Sequence, residues 1–212
     1  MTVEAKICGV TTPEALRAAA KGGARFVGFV FYAPSPRHLT PEAALALTEA
    51  ALPPVGKVGL FVDAADEAIA KVVTRVPLDL LQLHGSESPA RVAAIRKRFH
   101  LPVMKAIRLG AAADVGEAKP YEEVADRLLF DAKGTPGSLP GGTGQAFEWE
   151  WLSGYQGRLP WVLSGGLNAS NVAKAVRRSG ARSVDVSSGV EDTPGHKDPA
   201  LIAEFLSVLT SL

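Results

Sequence analysis

The stretch Leu78-Asp79-Leu80-Leu81-Gln82-Leu83-His84-Gly85-Ser86-Glu87-Ser88-Pro89 holds one complete change of backbone type. Residues 78–83 form a nearly continuous apolar run, as expected of a strand covered by helices on its faces. A polar end and a glycine follow. Ser88 then stands before Pro89 as a capping hydroxyl before a first-turn proline, so a helix is predicted over 89–98. The same order recurs along the chain. Further apolar runs lie at 3–7, 26–31, 55–62, 102–107, 127–131, 161–164 and 183–186, with helical stretches predicted at 13–21, 41–50, 65–74, 120–124, 168–178 and 199–209. Thr12-Pro13-Glu14 and Thr40-Pro41-Glu42 repeat the capping signal.

Eight strands in 212 residues leave about 26 residues for each strand–helix unit, which suits a compact (β/α)8 TIM barrel. The weakest unit lies between Asp131 and Trp161, where residues 134–144 read as loop. A doubly wound open sheet shares the alternation. It is disfavoured because no Gly-x-Gly-x-x-Gly follows the first strand and no Walker-type loop is present. With no linker or repeat, residues 1–212 read as one barrel domain.

Composition narrows the function. A net charge of +1 gives no field for gripping nucleic acid or an anionic membrane. The longest apolar run, 26–33, is far short of the roughly 20 residues that span a bilayer. The N-terminus lacks a signal-peptide pattern, and a lone Cys8 fits a reducing compartment. These features predict a cytoplasmic protein with no nucleic-acid or membrane partner. His38, His84, His100 and His196 lack metal-site spacing, so no metal is expected.

In parallel α/β folds the site forms where strands end. Those ends carry Lys6 and Cys8, Arg37, Asp63, His84, Arg108, Asp131, Gly165-Gly166 and Ser187-Ser188-Gly189. Glycines after strands seven and eight let backbone N–H groups approach a phosphate, although such pairs also simply make turns. Cys8 reads either as a small buried apolar group or as a base whose pKa the nearby Lys6 lowers. Asp131, ending an apolar strand, is poised to donate a proton or to cap a turn. Arg37 could clamp an anion or a planar aromatic acid. Gln82 and His84 point the same way, into a barrel interior. The glycine-rich stretch 134–144 reads as a lid or as disorder.

Together, Lys6-Ile7-Cys8-Gly9, Gly28-Phe29-Val30-Phe31 with Ser35-Pro36-Arg37, Leu81-Gln82-Leu83-His84-Gly85, Gly141-Gly142-Thr143-Gly144, Leu163-Ser164-Gly165-Gly166-Leu167 and Val184-Asp185-Val186-Ser187-Ser188-Gly189-Val190-Glu191 resemble the phosphoribosylanthranilate isomerase family. The resemblance implies an Amadori rearrangement of N-(5′-phosphoribosyl)anthranilate in tryptophan biosynthesis, without cofactor or metal. It implies Cys8 as general base and Asp131 as general acid, with Arg37, His84 and Asp185 near a small phosphorylated substrate. Gly165, Gly166, Ser188 and Gly189 would hold the phosphate. Two rivals stand beside it. A carbon–carbon-forming synthase on the same fold is expected to place a Lys and Glu pair at the strand ends, and a non-catalytic phosphate-binding protein would tolerate loss of the thiol. The sequence leaves monomer and homodimer open.

Overall fold

A computed structural model of the chain describes residues 3–49, 55–134, 144 and 146–212. The strands are β1 (Glu4–Cys8), β2 (Phe26–Val30), β3 (Gly56–Phe61), β4 (Leu80–Leu83), β5 (Val103–Leu109), β6 (Arg127–Ala132), β7 (Trp161–Leu163) and β8 (Ser183–Val186). They pair in parallel in that order, and β8 returns to β1 to close the barrel. The open doubly wound sheet is thereby excluded.

The capping signals do the work expected of them. Thr12 accepts a hydrogen bond from the Ala15 N–H at the start of α1 (Pro13–Lys21), and Ser88 accepts from Arg91 N–H at the start of α4 (Pro89–Phe99). The helices α2 (Pro41–Glu49), α3 (Asp66–Val73), α5 (Val172–Ser179) and α6 (Pro199–Thr210) complete the α-helical part of the outer layer. Asp198 caps α6 by accepting from the N–H groups of Ala200 and Leu201.

Two expected helices differ. The helix predicted over 120–124 is replaced by a 3-10 segment, Ala112–Tyr121, in which Gly116 and Pro120 work against an α-helical ladder. The helix predicted from 168 begins instead at Val172, because the Asn168 carboxamide accepts from the N–H groups of Ser170 and Asn171 and holds a turn there. Between β6 and β7 the described residues contain only a short 3-10 turn, Trp149–Leu152. The stretch 134–144 lies outside the described residues except at its two ends, and with it the reading of that stretch as a lid.

Strand alternation divides the core into an outer and an inner part. Outward residues such as Ile7, Val27, Phe29, Leu81, Phe130 and Val184 join the helices in one large buried cluster. Inside the barrel the floor is apolar, formed by Val58, Leu80, Met104, Ala106, Leu129 and Val162. Above it Cys8, Val30 and Leu60 make a smaller cluster. The polar residues Lys6, Gln82, Asp131, Ser164 and Asp185 are buried as well, on the inward register of their strands. The interior is thus graded from apolar to polar along the barrel axis.

A second buried charge cluster ties the rim together from outside. Lys105 Nζ donates to Glu87 Oε2 at 3.1 Å, to Gly85 O at 2.8 Å and to Ala106 O at 3.0 Å. The other Glu87 oxygen accepts from Asp63 N–H at 2.9 Å, so loops after β3 and β4 hang on one carboxylate. Burial lowers the Lys105 pKa despite the Glu87 charge beside it. Replacing Lys105 by Met leaves that carboxylate buried and uncompensated, which should cost about 3–5 kcal/mol of stability. Calorimetric unfolding of the variant checks this, and an unchanged transition would show that the pair is not needed.

Candidate active site

β1 and β8 bring the first ionic pair into the barrel. Lys6 and Asp185 are register partners across the seam, and their side chains meet at 2.8 Å. Ser164 at the end of β7 donates its hydroxyl to the other Asp185 oxygen at 3.2 Å. Burial opposes the Lys6 charge, yet the Asp185 carboxylate and the Cys8 sulfur outweigh it, and the ammonium is held above its ordinary value.

Cys8 lies above Lys6 on the same face of β1. Gly28 on the neighbouring β2 is what makes room, since a Cβ there would stand 3.0 Å from Cys8 Sγ and 3.2 Å from Lys6 Nζ. The sequence reading expected Lys6 to lower the thiol pKa. The structure corrects this: burial is the largest influence and pushes the thiol above its ordinary 9.0, and the negative Asp185 adds to that. Lys6 pulls in the opposite direction, but its charge is shared with Asp185.

Asp131 faces inward from β6, separated from β1 by β7 and β8 on the shorter way round. Its Oδ1 accepts from the N–H of Ala132 at 2.9 Å, and its Oδ2 lies 3.1 Å from His84 Nε2. The other ring nitrogen, Nδ1, lies 2.8 Å from Gln82 Nε2. Both His84 nitrogens are therefore engaged by protein. His84 touches the candidate acid directly, so the geometry favours a positioning role over the substrate contact expected from the sequence. Asp185 is likewise engaged, by Lys6 and Ser164.

Arg37 is buried in the loop after β2 and forks onto Glu191, with Nε at 2.7 Å from Oε1 and Nη2 at 2.8 Å from Oε2. Past β8, the hairpin of β9 (Glu191–Thr193) and β10 (His196–Lys197) turns back, so that Lys197 also pairs with Glu191 Oε1. Burial disfavours the Glu191 charge, but the Arg37 hydrogen bond and the Lys197 charge hold its pKa below the ordinary value. Two cations around one carboxylate leave a local surplus of positive charge. Glu191 and Lys197 were missed as site members, although Glu191 and Lys197 both flank the Pro194-Gly195 turn in the sequence.

The turns after β7 and β8 are built for close backbone approach. Gly165 and Gly166 have φ of +89° and +62°, in the region that favours glycine. A Cβ on Gly165 would stand 2.8 Å from the Ala132 nitrogen, and one on Gly189 would overlap the Leu167 carbonyl oxygen. Ser188–Val190 forms a single 3-10 turn, and Ser187 Oγ donates to Cys8 O at 3.1 Å. The turn after β8 is thus fastened to the end of β1.

A Lys–Glu pair of the kind expected for the synthase rival exists as Lys105–Glu87. However, Lys105 lies on the outward register between the inward-facing Met104 and Ala106, away from the barrel interior. Among the described residues, no group of three or more His, Cys, Asp or Glu side chains is arranged to hold a metal ion.

An eight-stranded barrel with a thiol and a carboxyl group facing its interior, below glycine turns at the ends of β7 and β8, defines a barrel enzyme. Residues 5–208 match the family model described as N-(5′-phosphoribosyl)anthranilate (PRA) isomerase, and the chain belongs to that family. Proteins named N-(5′-phosphoribosyl)anthranilate isomerase from Rhodospirillum centenum and Paramagnetospirillum magneticum are each 55% identical to it. They match over 100% and 97% of this chain, and 100% and 96% of their own lengths. The crystal structure of phosphoribosyl anthranilate isomerase from Thermotoga maritima is 39% identical with a TM-score of 0.88, covering 99% of this chain and 100% of its own. A structure of the isomerase in complex with reduced 1-(o-carboxyphenylamino)-1-deoxyribulose 5-phosphate is 36% identical with a TM-score of 0.85, over the same shares of the two chains.

With a single thiol in the chain, the thiolate can be titrated directly by its ultraviolet absorbance, using Cys8→Ser as the blank. A raised pKa means that the thiolate signal should develop only above the ordinary 9.0. A signal complete by neutral pH would show that Lys6 outweighs burial.

Proposed function

We propose that Cys8 and Asp131 are the general base and general acid of the Amadori rearrangement of N-(5′-phosphoribosyl)anthranilate, a step of tryptophan biosynthesis. The observation that carries this reading is their placement. They are buried groups on well-separated strands, both facing the same enclosed space.

The chemistry needs one proton given and one taken on two parts of a sugar. Asp131 as the acid protonates the furanose ring oxygen. The C1′–O bond breaks and the nitrogen lone pair forms a C1′=N iminium. Cys8 as thiolate removes the C2′ proton, and the C–H electrons become the C1′=C2′ bond of an enolamine while the iminium electrons return to nitrogen. Loss of the C2′ hydroxyl proton and protonation at C1′ then give the 2-ketone. Protons given equal protons taken, so the rearrangement balances without a cofactor. The iminium cation also answers the high thiol pKa, because positive charge next to Cys8 favours the thiolate at the moment it is required.

Arg37 is assigned to the anthranilate end. Its fork onto Glu191 fixes the guanidinium plane, and the surplus charge shared with Lys197 suits a carboxylate. The N–H groups around Gly165, Gly166, Ser188 and Gly189 are assigned to the phosphate. A cytoplasmic location and a small phosphorylated substrate belong to the same reading, and among the described residues no helix is long and apolar enough to cross a membrane.

A fluorescence assay of phosphoribosylanthranilate consumption tests the assignment. Cys8→Ser and Asp131→Asn should each lose about 10²–10⁴-fold in turnover with folding intact. Near wild-type turnover in either variant removes that residue's role, and no turnover by the wild type overturns the reading as a whole.

A further inference from the structure

Gln82 and His84 begin a short hydrogen-bonded chain that ends on the proposed proton donor. Gln82 Nε2 lies 2.8 Å from His84 Nδ1, and His84 Nε2 lies 3.1 Å from Asp131 Oδ2. Gln82 is fully buried, and its Oε1 has no hydrogen-bond partner among the described residues. A buried amide oxygen without a donor is costly. It also means that no donor on that oxygen holds the amide in one orientation. Rotating a carboxamide by half a turn exchanges donor for acceptor with almost no change of shape.

Each orientation admits one arrangement of protons in a neutral imidazole. With the NH2 group toward the ring, Nδ1 must accept and the ring proton sits on Nε2, which donates to Asp131 as a carboxylate. With Oε1 toward the ring, Nδ1 carries the proton and Nε2 becomes an acceptor. Asp131 can meet that nitrogen only across one further proton, held between the carboxyl and Nε2. The second arrangement holds one more proton than the first, in the hydrogen bond to the carboxyl that must protonate the sugar. We infer that Gln82 is a positioning residue for the acid step. The orientation of its amide sets whether His84 Nδ1 is protonated, and so whether the His84–Asp131 hydrogen bond holds the extra proton that the acid step needs. This rests on the assignment of Asp131 as proton donor.

The surrounding charges are already committed elsewhere. Lys105 on β5 donates to the carbonyls on both sides of His84, those of Leu83 and Gly85, and pairs with Glu87. Asp63 after β3 accepts from Ser86 N–H. Arg108, the register partner of Asp131, reaches Ser86 Oγ at 3.4 Å. Lys6 and Asp185, on β1 and β8, pair with each other. None of these groups donates to Gln82 Oε1, so of these neighbours only the His84 ring is coupled to the amide orientation.

The first test is Gln82→Met, which keeps the side-chain length and removes both amide orientations. Its kcat should fall about 10-fold, part of the ~10²–10⁴-fold that a positioned acid supplies, with KM unchanged. Gln82→Glu offers a permanent acceptor, and should restore kcat. Because either variant could fold poorly, the wild-type ring is read as well, by 15N NMR of His84 assigned with His84→Asn. Nδ1 should carry a proton at the pH of maximal turnover. A folded Gln82→Met protein with wild-type kcat overturns the inference. So does a ring whose Nδ1 is unprotonated throughout the active range. An active Asp131→Asn protein would instead remove the acid assignment, which the ring observation does not test.

Discussion

The closure of the barrel brings a buried ion pair to its seam. Lys6 and Asp185 occupy the same rung of the β1–β8 ladder and bond across it, with Ser164 of the neighbouring strand end completing the carboxylate. Two charges taken this far from water cost several kcal/mol each unless fully bonded, so a shifted register would leave both uncompensated. The pair therefore penalises any other closure of the barrel. It also fixes the place of Cys8, which follows Lys6 on the same face, and the absence of a side chain at Gly28 gives both groups their space.

The polar groups are confined to one end of the barrel axis. Val58, Leu80, Met104, Ala106, Leu129 and Val162 form a floor that needs no partners and supplies stability through burial. Every buried polar residue above that floor must be answered by another, and the structure does so in separate sets: Lys6 with Asp185 and Ser164, His84 with Gln82 and Asp131, Arg37 with Glu191 and Lys197. Gln82 Oε1 breaks this pattern inside the barrel. An unsatisfied acceptor beside a titratable ring is easier to understand as part of a proton-handling device than as a packing fault.

Much of the fold was legible because strand and helix signals were local. Continuous apolar runs marked all eight strands, and hydroxyl–proline pairs marked the starts of α1, α2 and α4 within a residue or so. What failed was equally local in cause. Gly116 and Pro120 turned an expected helix into a 3-10 segment, and Asn168 captured the N–H groups that would have opened α5 earlier. The positions of Cys8, His84 and Asp131 followed from strand alternation alone. Their chemical states did not, because those depend on partners far away in sequence. Lys6 could be seen to stand near Cys8, but that Asp185 would claim its charge depends on a contact spanning most of the chain. The forks of Arg37 and Lys197 onto Glu191 were hidden for the same reason.

The same long-range pairing resolves a tension between the whole molecule and its site. A net charge of +1 gives little attraction for an anionic substrate at a distance. Arg37 and Lys197 converge on a single carboxylate, so the loops after β2 and β8 hold a cationic excess that the overall balance conceals. That excess sits among buried groups, where screening by salt is weak and Coulombic attraction is stronger than at the surface. Glu191 is what allows two like charges to be held there: it offsets their mutual repulsion while leaving one unit of charge unneutralised. Removing Glu191 would increase the nominal positive charge yet release the two side chains that carry it, so the electrostatics of this corner depend more on the order this carboxylate imposes than on the amount of charge around it.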